Sequence, residues 1–200
     1  MSVDTCNLRA GEKVIAVGRP AHVEVSEIPT ASYSEAEDAV RCTPFVESEH
    51  LLPTCFVCGP ARGHGDGLRI FAGPLASRAD RKTGTFAASW IPYADLAGDD
   101  GLVATEVVWA SLDCPTGYAG LGSGHWGLSK TEPILLGRMS ARVDERPRPG
   151  EQCIVVTWPT GRDGRKLFAS GALLRATGEV LAVAQTTWLL VDLQVQRGQR

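Results

Sequence analysis

The sequence predicts an α+β fold: a long antiparallel sheet wrapped around one central helix. Three observations predict it. Residues 102–114, "LVATEVVWASLDC", place Val103, Val107, Ala110 and Cys114 at helical spacing. Four strand signals then follow in close succession, at 133–145, 151–159, 166–176 and 179–192. The segments between them, "RPRPGE", "TGRDGR" and "TGE", have turn lengths, so the reading makes these strands antiparallel neighbours rather than crossover partners. The apolar face of such a sheet needs cover, and the one long helix supplies it.

The other elements follow in chain order. Residues 13–17 and 21–26, "KVIAV" and "AHVEVS", read as a hairpin around the turn "GRP". Residues 32–42 read as a short helix with Ser34 as N-cap and acidic residues in its first turn, where the helix dipole favours them. "TPFVESEHLLPT" carries two prolines and reads as connector. Residues 67–73 and 82–90 read as strands, and 91–101 as turns. Pro115 removes a helical N–H, so the central helix is expected to kink or end there. The glycines of "GLGSGHWGLS" (120–129) read as a break before the strand series. The division is a hairpin–helix extension over 1–50, a main domain over 51–193 and a disordered tail over 194–200.

Composition narrows the function. Two hundred residues at 44% hydrophobic fit one domain with an extension. A net charge of −3 argues against nucleic acid or an anionic membrane as partner. No apolar run is long enough to span a bilayer. The start "MSVDTCNLRAGEKV" is not built like a signal peptide, which gives a cytoplasmic expectation and reduced thiols.

Three stretches carry a family resemblance. They are "CFVCG" followed by "GDGLRIF", the helix "GLVATEVVWASLDCPTGYA", and the run from "LLGRMSARVDE" to "EVLAVAQTTW" with its Pro-Gly-Glu, Gly-Arg-Lys and Thr-Gly-Glu turns. In that order they resemble the hotdog-fold thioesterases of the phenylacetate-pathway and 4-hydroxybenzoyl-CoA type, over roughly residues 52 to 192. The resemblance implies hydrolysis of an acyl-CoA or acyl-carrier thioester at a subunit interface, by at least a homodimer, without a cofactor. It places a catalytic carboxylate at Asp113, with Glu106 as second candidate. Seven residues apart, the two share a face of a continuous helix, roughly 10 Å apart along its axis. "VATE" stands where the family has His-Gly-Gly, so the oxyanion donors fall to backbone N–H groups of Thr105, Glu106 or Val107. Trp109 and Tyr118 fill core or interface, or stack on the acyl group. Thr116 steadies a water or serves a turn. Arg165, on a basic turn with Arg162 and Lys166, holds phosphates of coenzyme A or guards a strand edge. The alternative function is a hotdog protein that binds acyl ligands without hydrolysing them, favoured by the missing glycines and by Pro115.

Cys55 and Cys58 leave three readings open. They are packing thiols at the turn into the first core strand, two ligands of a zinc site completed by His64, His50 or Cys42, or a redox pair. Packing is the preferred reading, and no metal ligand is assigned. Cys114 reads as a small buried packing residue, and His125 as a loop residue.

Overall fold

The computed structural model describes residues 5–45, 50–76 and 84–192. The expected tail at 194–200 and part of the connector lie outside the described residues. Among the described residues, eight strands form two sheets. A hairpin pairs β1 (Cys6–Ala10) with β2 (Lys13–Gly18). The main sheet is antiparallel throughout, in the order β3 (Gly73–Pro74), β4 (Phe86–Trp90), β6 (Cys153–Asp163), β7 (Lys166–Arg175), β8 (Val180–Leu190), β5 (Ile134–Val143). Helix α1 spans Tyr33–Arg41, α2 Thr105–Ser111 and α3 Asp113–Gly122.

Several expectations need correcting. The front hairpin uses 6–10 as partner of 13–18, turning at Gly11-Glu12, while 21–26 form no strand. Instead Val23 is buried beside the main sheet, its carbonyl bonded to Arg142 Nη1 at 2.8 Å. The N-cap of α1 is Ser32, not Ser34, in a reciprocal capping box with Glu35. Residues 67–72 are irregular: Arg69 sits at φ 54°, which a strand does not allow. The strands β5 and β6 are not neighbours, because β5 crosses to the far side and pairs with β8. The strand β6 also runs on past Pro159, beyond the five residues paired with β4, where a missing N–H leaves no ladder bond broken on that side.

The central helix is the largest correction. It neither runs unbroken to Cys114 nor stops at Pro115. It breaks at Leu112 and restarts at Asp113, so Pro115 falls in a first turn, where its missing N–H costs little. Of the four glycines read as a break, Gly120 and Gly122 lie inside α3, as does Gly117, whereas Gly124 and Gly127 follow it at positive φ, where the helix has ended. A Cβ on Gly120 would lie 2.3 Å from the Trp126 ring, and one on Gly117 would lie 3.1 Å from the Trp188 ring. They let two indoles press directly onto the helix backbone. Polar ties hold the same contact. Thr157 Oγ1 donates to Pro115 O at 2.9 Å, and Trp188 Nε1 donates to Thr116 Oγ1 at 2.9 Å.

Both faces of the sheet are covered. On one face Cys153, Val155, Leu173, Ala182 and Ala184 pack with Leu112, Tyr118 and Ala119. On the other Ile154, Val156, Ala172, Leu174 and Val183 pack with Val23 and with Ala36 and Ala39 of α1. This is why "CIVVT" of β6 is buried at five successive positions instead of alternating.

Gly120→Ala is expected to cost about 1–3 kcal/mol by overpacking. Gly63→Ala, where a Cβ meets nothing within 4 Å, is expected to stay within ~0.5 kcal/mol. Urea unfolding of both variants checks the contrast.

Candidate functional site

The site forms where α3 meets the loop 50–72. Backbone bonds hold that loop: Gly59 N–H to Cys55 O at 2.9 Å, Leu68 N–H to Phe56 O at 2.8 Å and Ile70 N–H to Val57 O at 2.9 Å. Arg62 Nε donates to Thr54 O at 2.7 Å. These bonds deliver Cys55 and Cys58 to the start of α3. There Cys114 Sγ lies 3.5 Å from Cys55 Sγ, and the three sulfurs lie within 4.8 Å of one another. His64, an expected companion, bonds instead to Tyr93 Oη at 2.9 Å, and Cys42 is exposed. All six cysteines are free thiols.

Residues Cys114, Gly117, Tyr118 and Leu121 of α3 face a narrow slot of about 90 Å³, closed by Phe45, Ile134 and Trp188. The slot is mostly apolar. His50 and Tyr118 supply a polar edge, with His50 Nε2 and Tyr118 Oη 2.5 Å apart. His50 Nδ1 accepts from Leu52 N–H at 3.1 Å, so Nε2 carries the proton and donates to Tyr118. Burial holds the His50 pKa below its ordinary value. Phe45 stacks on Tyr118 at a 4.0 Å ring separation.

Asp113 opens α3, one residue before this stripe. Its Oδ1 is enclosed and has no hydrogen-bond partner. Burial, with the Cys55 charge as lesser cause, pushes its carboxyl up to about 6. Glu106 is exposed in the first turn of α2. The break at Leu112 interrupts the helical phase that put the two carboxylates on one face.

The expected binding residues scatter. Thr105 is exposed and lines a different, polar groove with Arg146, Arg148 and Arg175. Val107 packs against the core, and its N–H bonds to Ala104 O at 3.0 Å. Trp109 is 36% exposed. Thr116 is fully buried and steadies no open site: its hydroxyl donates to Asp113 O at 2.7 Å and accepts from Trp188. Arg165 is exposed on the β6–β7 turn, with Nε on Leu190 O at 3.0 Å. His125 is an exposed loop residue. Sequence reasoning missed His50 with Tyr118, and it missed Cys114 as partner of Cys55. A separation of 59 residues gives no local spacing to read.

No family model and no curated protein matches the chain. Solved structures do. One is an acyl-ACP thioesterase from Bacteroides thetaiotaomicron, 16% identical over 58% of this chain and 49% of that one, with TM-score 0.50. Another is a thioesterase superfamily protein, 19% identical over 60% of this chain and 55% of that one, with TM-score 0.49. A third is a phenylacetic acid degradation-related protein from Ralstonia eutropha, 15% identical over 56% of this chain and 80% of that one, with TM-score 0.48. The chain has the hotdog fold. It spans about half the length of the first two of these proteins. Among the described residues no helix is long and apolar enough to cross a membrane.

Thr116→Val is expected to leave Trp188 Nε1 buried and unpaired, at a cost of about 1–3 kcal/mol. Thr116→Ser keeps the hydroxyl and is expected to recover most of that loss. Thermal unfolding of the two variants checks the order.

Proposed function

We propose that the protein hydrolyses acyl thioesters, with Asp113 as general base. The observation that carries this reading is the enclosed Asp113 carboxylate, with an unpaired oxygen, at the head of the helix that lines an apolar slot. The acyl group of an acyl-CoA or acyl-carrier thioester enters the slot. A water beside Asp113 gives its proton to the carboxylate as its oxygen attacks the thioester carbonyl. The tetrahedral intermediate collapses, the C–S bond breaks, and the proton held on Asp113 passes to the departing thiolate. The products are a carboxylic acid and a free thiol. The reading takes the reaction to lie at the interface of a homodimer in the cytoplasm, and light scattering is expected to give at least two chains per particle.

Asp113→Asn is expected to lower kcat/KM by ~100-fold or more. Glu106→Gln, at an exposed position, is expected to stay within about threefold, since it touches no part of the slot. A panel of short-chain, long-chain and aromatic acyl-CoAs with a thiol reagent reads both. Full activity in Asp113→Asn removes the assignment. The engaged N–H of Val107 and the buried Thr116 favour the alternative, an acyl-ligand binder. Acyl-CoA binding by calorimetry without thiol release, across the panel, replaces hydrolysis with that reading.

A further inference from the structure

We propose that Cys55, Cys58 and Cys114 together bind a zinc ion, joining the loop 50–72 to the start of α3. The inference stands apart from thioester hydrolysis, and either can fail alone.

The distances suit the ion. Zinc–sulfur bonds of about 2.3 Å place two sulfurs of a tetrahedral site about 3.8 Å apart. The three sulfurs, one pair at 3.5 Å and all within 4.8 Å, bracket that spacing. The loop backbone holds the two cysteines in place. Cys114 Sγ, at the start of α3, lies 3.5 Å from Cys55 Sγ, so loop and helix already meet through sulfur. Gly59 closes the turn so tightly that a Cβ there would lie 2.4 Å from Cys55 O. Packing thiols do not need three sulfurs to converge in this way.

The thiol chemistry agrees. Three thiols that converge in a half-buried pocket are the donor set zinc prefers. With a divalent ion, all three ionise and release their protons. The protein supplies three ligands, the number of an open zinc site. Cys58 and Cys114 also line the slot, so a water completes the coordination from that side. His50 is not that fourth ligand, because its Nε2 proton is committed to Tyr118.

The test uses the full chain, purified with reductant and without chelator from zinc-supplied medium. Elemental analysis is expected to find about one zinc per chain. Cys55→Ser, Cys58→Ser and Cys114→Ser are each expected to fall below ~0.2 zinc per chain, while Cys153→Ser and Cys42→Ser keep the wild-type content. Alkylation mapping of the wild type guards against variants that fail to fold. With zinc, Cys55, Cys58 and Cys114 are protected, and a chelator exposes all three. The exposed Cys6 and Cys42 react either way. A reduced wild-type chain that holds no zinc as purified, and none after anaerobic zinc addition and desalting, overturns the proposal. So does full zinc content in a folded Cys114→Ser, or a Cys55–Cys114 disulfide in protein isolated without reductant but with zinc present.

Discussion

The distance between α3 and the sheet governs this molecule. Two indoles, from Trp126 and Trp188, lie directly on the helix backbone at glycine positions: a Cβ would lie 2.3 Å from the Trp126 ring at Gly120 and 3.1 Å from the Trp188 ring at Gly117. The helix is also bonded to the sheet by Thr157, and by Trp188 through Thr116. Apolar packing alone would let the helix slide along its axis, since dispersion is not directional. The hydroxyl and indole bonds fix its axial position, because each buried donor is costly to leave unpaired. The slot therefore has a defined width, and Asp113 and Cys114 have defined heights above the sheet.

The opposite face of the sheet obeys a looser rule. There α1 offers Ala36 and Ala39, small residues buried in one cluster with Ala87, Ile154 and Val156. Arg142 Nη1 and Gln185 Nε2 tie the preceding segment down through the carbonyls of Val23 and Glu24. The first forty residues thus divide in two. The hairpin β1–β2 is exposed at every position, whereas 23–41 bury a sheet face. With both faces covered, the central strands lose their polar half. Continuous apolar runs such as "CIVVT" and "LAVA" are the result.

That pattern decided what could be read from sequence. The strand series of the main sheet was legible because its turns are short and the strands between them rich in β-branched and apolar residues. The position of β5 was not, because a nine-residue link serves as well for a crossover as for a wide turn. Glycine misled the reading in α3, where local propensity says break and tertiary contact says close approach. The family resemblance singled out Asp113, but its relation to Glu106 could not be read, since helical phase holds only within an unbroken helix. The thiol cluster was half legible. Cys55 and Cys58 announce themselves by spacing, whereas Cys114 joins them only through the fold.

The loop carrying those two cysteines shows why the third matters. Residues 50–72 contain no helix or strand, a length that compact domains seldom leave without regular structure. Val57, Leu68 and Ile70 anchor the loop in the core, yet each is an apolar contact that tolerates small rotations. Backbone bonds within the loop stiffen it but do not orient it against its surroundings. Directional contacts with the surroundings do that, and His64 to Tyr93 Oη ties the outer end of the loop. Tyr118 Oη to His50 is another, and the sulfurs of Cys55 and Cys114 supply a third. A weak thiol contact becomes a strong constraint when a cation bridges it, because metal–ligand bonds have both fixed length and fixed angle. The same ion would fix the edge of the slot next to Asp113. In that arrangement the loop is the second wall of the site, held against the first wall at the residue that follows the candidate base.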